Sequence, residues 1–97
     1  MIWLIGSGPM AKDYIKVLTA LKKEFIVIGR GAESSQKIKD EFGISVYTGG
    51  LENFLSTKPA PCTHAIVAVG VEQLYLCAKN LVSYGIKNIL TEKPGGL

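Results

Sequence analysis

The feature that most constrains this chain is a glycine-containing segment near its start, at residues 6–11, which reads Gly-Ser-Gly-Pro-Met-Ala. A short apolar run precedes it, and from Pro9 onward apolar side chains recur at steps of three and four residues, as in an amphipathic helix. Gly6, Gly8 and Ala11 therefore fit the pattern G-x-G-x-x-A between a strand and a helix. In that setting the first glycine permits a tight turn, the second lets the backbone approach a pyrophosphate, and the small third residue lets the helix pack on the sheet. The segment predicts a strand, a turn and a helix, with an anion held at the start of the helix.

The rest of the chain repeats this alternation of apolar runs and amphipathic segments. Predicted strands cover 2–5, 25–28, 44–47, 65–69 and 89–90. Helices are predicted over 9–21 and 51–56, between a serine cap at 34 or 35 and Gly43, and around residues 74–82 before Gly85. Five strands alternating with four helices predict an α/β fold of the Rossmann type, in which a doubly wound parallel sheet carries helices on both faces in three layers. The expected strand order is 3-2-1-4-5, although periodicity alone does not determine it.

The sequence also predicts where two of the helices begin or end and which side chains are buried. Ser34 or Ser35 is expected to cap the second helix, while Gly43 and Gly85 end the second and fourth. His64 is expected at the surface. The residues expected in the core or in packing contacts include Trp3, Leu74, Tyr75, Cys77, Ala78, Leu81 and Val82.

Composition restricts the class of protein. Ninety-seven residues with 47% hydrophobic and 20% charged content describe one domain, here 1–97. The 11 basic and 8 acidic residues are scattered, which argues against nucleic-acid binding but mildly favours anionic ligands. Cys62 and Cys77 are isolated, so neither a disulfide nor a metal site is predicted. Met1 leads into an apolar run with no basic segment, and no apolar stretch reaches about 18 residues. We therefore expect a cytoplasmic protein without a membrane span.

The end of the second strand favours NADP over NAD. Proteins that bind NAD usually carry an acid there, which accepts hydrogen bonds from the ribose hydroxyls. Residues 28–31 read Ile-Gly-Arg-Gly, and the nearest acid, Glu33, lies farther along the loop. Arg30 can instead contact a 2′-phosphate, with Ser34 and Ser35 as hydroxyl donors. Such a charge-assisted bond contributes about 1.5 to 3 kcal/mol. A solvated surface arginine is the alternative interpretation.

A Glu-Lys-Pro sequence at residues 92–94 follows the fifth predicted strand. Ligands of open α/β sheets lie outside the carboxyl ends of the strands, so Glu92 and Lys93 are expected to face the cofactor, as are Val69 and Gly70 after the fourth strand. A lysine there can hydrogen-bond a substrate hydroxyl or carbonyl and pass a proton while hydride moves. If the Glu-Lys-Pro sequence is considered alone, a lysine exposed in a turn is the simpler interpretation.

The predicted cofactor-binding residues are Gly6, Ser7, Gly8, Pro9, Met10, Arg30, Ser34, Ser35, Val69, Gly70, Glu92 and Lys93.

Taken together, these motifs resemble the N-terminal domain of the Gfo/Idh/MocA oxidoreductases, the family of glucose-fructose oxidoreductase and inositol dehydrogenase. The family's features occur here in order: the glycine segment at 6–11, an apolar fourth strand at 65–69, a helix ending at Gly85, and a short strand that runs into Glu-Lys-Pro at 89–94. The resemblance covers essentially the whole chain.

The resemblance implies a reaction as well as a cofactor. It implies hydride transfer between NADP or NAD and a hydroxyl, carbonyl or imine carbon of a sugar-like metabolite, with Lys93 as the catalytic residue that contacts substrate and cofactor. A C-terminal α/β domain would complete the substrate site, so this chain alone is expected to bind cofactor without turnover. A homo-oligomer is compatible with this reading.

Many family members have Pro and, four residues later, His after the fourth strand, where this chain has Gly70 and Leu74. The nicotinamide contacts are therefore less defined than the pyrophosphate site.

Other interpretations of the glycine segment remain open. Two glycines can form a tight turn with no ligand, and S-adenosylmethionine enzymes also place a glycine-rich turn after their first strand. A non-catalytic module that senses bound nucleotide is the main alternative to an enzyme domain.

Overall fold

The alternation of strands and helices runs through residues 1–91, the part of the chain that the computed structural model describes. The elements are β1 (Ile2–Ile5), α1 (Pro9–Ala20), β2 (Phe25–Ile28), α2 (Ala32–Phe42), β3 (Val46–Tyr47), α3 (Gly50–Ser56), β4 (His64–Val67), α4 (Val71–Tyr84) and β5 (Ile89–Thr91). The sequence predicted each of them, although β3 is two residues shorter than expected and β4 begins and ends earlier.

All five strands pair in parallel in the order β3-β2-β1-β4-β5, which confirms the α/β fold and the predicted strand order. The order reverses at β1, which pairs with β2 on one side and with β4 on the other. Because the strands all run in the same direction, their carboxyl ends lie at one edge of the sheet, and helices make the crossovers between them. The turns that follow β1 and β4 are therefore neighbours.

Alternate residues of β1 enter two separate cores. Trp3 and Ile5 pack with α3 and α4, whereas Leu4 packs with α1 and α2 on the opposite face. The Trp3 ring meets Phe54 of α3 edge to face, with ring centroids 5.0 Å apart. Burying such a side chain stabilises the fold by about 1.5 to 3 kcal/mol. Two cores flanking one sheet give the predicted three layers.

Several local predictions need correction. Tyr75 and Val82 are 76% and 64% exposed, so neither belongs to the core. The buried side of α4 is defined by Cys77 and Leu81, one helical turn apart, and Tyr75 and Val82 lie off that side. Trp3 is buried and His64 is exposed, as predicted.

The predicted serine cap of α2 is also wrong. The N-cap is Gly31, and no side chain caps this helix. Ser35 lies one turn inside the helix, where its hydroxyl donates to the Gly31 carbonyl at 2.7 Å. The two C-caps were predicted correctly, since Gly43 and Gly85 both adopt the left-handed conformation that glycine favours.

Candidate functional site

A cleft of about 410 Å³ opens at the carboxyl ends of β1, β2 and β4. The predicted cofactor-binding residues that line it are Gly6, Ser7, Gly8, Pro9, Met10, Arg30, Ser34, Val69 and Gly70. Ser35 is not among them, because it is 5% exposed and its hydroxyl is bonded to Gly31. Glu92 and Lys93 lie outside the described residues.

The turn after β1 is held tightly between its two neighbouring strands. The Gly6 amide donates to the Ile28 carbonyl at 2.8 Å, and the Ala68 amide donates to the Ile5 carbonyl at 2.8 Å. Gly6 has φ +132°, and a Cβ there would lie 2.2 Å from the Ala68 carbonyl oxygen. Only glycine fits this position, for reasons internal to the protein.

Neither the backbone conformation nor the packing at position 8 requires Gly8 to be glycine. It is the N-cap of α1 with φ −92°, a conformation open to any residue, and a Cβ there would meet no protein atom within 4 Å. Gly70, the N-cap of α4, is equally unhindered at φ −63°. Both residues line the cleft. Bare backbone on the wall of a cleft is what a ligand needs in order to approach the main chain closely.

The helix starts around the cleft favour an anion. No side chain caps α1, α2 or α4, so protein side chains leave the first-turn N–H groups available. The first turns of α2 and α4 carry Glu33 and Glu72, whereas that of α1 carries no acid. Free N–H groups and the helix dipole together attract negative charge, which the acids at the other two starts oppose. The start of α1, beside Gly8, is therefore the most favourable of the three for a phosphate.

The turns after β1 and β2 touch each other beside this helix start. The hydroxyls of Ser7 and Ser34 are hydrogen-bonded at 2.8 Å, and both residues line the cleft. Gly29 makes the approach possible, because a Cβ there would lie 2.8 Å from the Ser7 side chain and 2.9 Å from the Ser35 hydroxyl. The arrangement places two hydroxyls between the α1 start and the end of β2.

Arg30 closes the cleft on the β2 side and is paired with an acid that the sequence did not indicate. Its Nη2 donates to Oε1 of Glu52 at 2.9 Å, with the two side chains 49% and 48% exposed. A Cβ at Gly50 would lie 3.1 Å from the guanidinium carbon, so the arginine lies against bare backbone. The Gly50 amide in turn donates to the Gly29 carbonyl at 2.9 Å, which ties α3 to the end of β2.

The cleft lining also includes Cys77, which is buried. Burial raises the pKa of its thiol, Glu52 raises it further, and Arg30 acts in the opposite direction. The thiol therefore stays protonated and is a poor nucleophile. Cys62 and Cys77 are both free thiols, and residues 1–91 contain no group of three acids, histidines or cysteines placed to hold a metal ion.

Comparison of the chain with protein-family models, with curated proteins and with solved structures finds no match in any of the three. Within the described chain, no helix has both the length and the apolar character needed to cross a membrane. The cleft and the motifs that line it are therefore the features that indicate a function.

Proposed function

We propose that this chain is a dinucleotide-binding domain that takes a nicotinamide dinucleotide in the cleft, NADP in preference to NAD. The observation that carries the proposal is Gly8, a residue that neither its φ nor its packing requires to be glycine, at the uncapped start of α1. A pyrophosphate against this backbone explains the missing side chain. The location supports it too, because β1 is where the strand order reverses, the usual binding point of doubly wound sheets.

The two ends of the dinucleotide are assigned by the same reasoning. The adenosine ribose belongs beside the end of β2, where Arg30 offers donors to a 2′-phosphate and Ser34 adds a hydroxyl. The other half extends toward Val69 and Gly70 at the end of β4. The cleft residues fit such a ligand, since they combine bare backbone, hydroxyls and one guanidinium.

The reaction rests on the resemblance to the Gfo/Idh/MocA oxidoreductases. The nicotinamide ring, when bound, accepts or donates a hydride at a hydroxyl, carbonyl or imine carbon of a sugar-like substrate. In this proposal Lys93 holds or moves the proton at the reacting oxygen. A second domain contributes most of the substrate contacts, and the protein works in the cytoplasm.

Titration calorimetry of the purified chain against NADP, NAD and S-adenosylmethionine, at equal salt, tests the assignment of the cofactor. We expect saturable binding of NADP, weaker binding of NAD and none of S-adenosylmethionine. Binding of S-adenosylmethionine alone would assign the same turn to a methyltransferase-like domain, and binding of none of the three would overturn the proposal.

A further inference from the structure

The ion pair between Arg30 and Glu52 crosses from the end of β2 to α3. Arg30 lines the cleft and Glu52 does not. Glu52 can therefore affect a ligand only by positioning the guanidinium of Arg30 or by the electrostatic effect of its own charge. The Nη2–Oε1 bond of 2.9 Å uses one of the five N–H donors of the arginine. The remaining donors are available to a second anion.

Backbone contacts fix the geometry of this pair. Besides the bond from the Gly50 amide to Gly29, the Gly49 amide donates to the Arg30 carbonyl at 3.4 Å. Gly49 and Gly50 have φ +93° and +86°, values that place the start of α3 under the guanidinium without a side chain in between. Glu52 then lies in the first turn of α3 with its carboxylate against Arg30.

We propose that Glu52 is a positioning residue that sets how strongly the cleft prefers NADP over NAD, by holding Arg30 at the entrance and cancelling much of its charge. This inference rests on the proposed function, because it assumes that Arg30 faces the adenosine ribose. A neutral pair attracts a 2′-phosphate much less than a free guanidinium does. Glu52 thus gives the site a smaller preference for NADP than Arg30 alone would give.

The magnitude follows from the exposure of both side chains. Charge pairs that are about half exposed are screened by solvent and typically change an equilibrium by no more than about fivefold. Removing the Glu52 charge should therefore strengthen NADP binding by about threefold to fivefold. NAD has no 2′-phosphate, so its affinity should change by less than about twofold.

The test compares the parent with Glu52→Gln, which keeps the shape of the side chain and an oxygen that can accept from Arg30. Glu33→Gln is the matched control, because Glu33 lies in the first turn of α2 and pairs with Lys37 at 3.8 Å instead of with Arg30. NADP and NAD affinities are measured by calorimetry at low and high salt, and thermal unfolding checks that each variant is folded. A double variant, Arg30→Ala with Glu52→Gln, shows whether the effect acts through the arginine.

We expect Glu52→Gln to tighten NADP selectively, with a gain that shrinks at high salt and in the Arg30→Ala background, while Glu33→Gln changes the NADP/NAD ratio less. Unchanged or weaker NADP binding in Glu52→Gln would overturn the inference, as would an equal gain in Glu33→Gln or in the double variant. A marked loss of NAD binding would overturn it by assigning Glu52 to the ribose hydroxyls. If the parent binds neither dinucleotide, the proposed function itself fails. If the parent binds them but Glu52→Gln does not tighten NADP binding, only the inference about Glu52 fails.

Discussion

Gly6 passes so close to Ala68 that a Cβ at position 6 would lie 2.2 Å from the Ala68 carbonyl oxygen. The contact joins the turn after β1 to the end of β4, so any side chain at position 6 forces these two walls of the cleft apart. Position 6 also has φ +132°, which a side chain disfavours independently of the clash.

Gly6→Ala should therefore lower the free energy of unfolding by about 3 kcal/mol or more. Gly8→Ala is the matched control two residues along, where the Cβ meets no protein atom and φ is −92°. It should cost about 1 kcal/mol or less, the difference between glycine and alanine as an N-cap. Urea denaturation of both variants measures the contrast, and similar losses in the two would contradict the geometry of the turn.

The neighbouring residues Leu81 and Val82 provide a test of how α4 packs. Leu81 is fully buried against the core that contains Trp3, whereas Val82 is 64% exposed. Leu81→Ala should destabilise the fold by about 2 to 5 kcal/mol. Val82→Ala should change stability by less than about 0.5 kcal/mol, since it removes little packing and alanine favours a helix. The reverse order in denaturation midpoints would show that α4 is rotated.

Arg30→Ala tests the proposed preference for NADP. Loss of a charge-assisted bond to the 2′-phosphate should weaken NADP binding by about tenfold and leave NAD nearly unchanged. Lys37→Ala removes the same charge from a 66% exposed side chain of α2 that is paired with Glu33, and serves as the control. Calorimetric affinities at one salt concentration give the comparison. Equal affinities of the parent for the two dinucleotides would remove the basis of this prediction.

Lys93→Ala tests the role that the family resemblance implies for the Glu-Lys-Pro motif. A positioned acid or base contributes about 10²- to 10⁴-fold in rate, so turnover should fall by that factor. NADP affinity should change little, because the proposed pyrophosphate and adenosine contacts are at β1 and β2. The assay uses the full-length protein, in which a second domain is proposed to complete the substrate site, with NADP titration of both forms alongside. Turnover close to that of the parent would leave Lys93 as a turn residue.

The fold could be predicted from the sequence because its signals are local. The run from Ile2 to Ile5 is apolar, the helical periodicity starts at Pro9, and a glycine directly follows the last residue of both α2 and α4. Such signals depend on a few neighbouring residues, so they predicted nine elements in the observed order. The strand order does not follow from periodicity, and 3-2-1-4-5 was expected because it is the usual order of Rossmann folds.

One part of the site could not be predicted because it depends on a contact between distant residues. Arg30 and Glu52 are 22 residues apart, and their pairing follows from the bond between Gly50 and Gly29. The sequence therefore showed an arginine without an acid, where the structure has an ion pair. A second failure is local. Ser35 was expected to donate to a ligand, but its hydroxyl donates to the Gly31 carbonyl, one helical turn earlier. Serine is suited to both roles, and only the position of the helix start decides between them.

In the proposed binding mode, a nicotinamide dinucleotide lies with its pyrophosphate against the backbone at Gly8. The most direct measurement is calorimetric titration of the parent and of Gly8→Val with NADP, beside thermal unfolding of both. A branched side chain at this position meets no protein atom at its Cβ, so the variant should remain folded. It should nonetheless lose NADP binding, because the valine occupies the space that the phosphates need. A folded Gly8→Val that binds NADP as tightly as the parent would contradict this binding mode and move the site elsewhere.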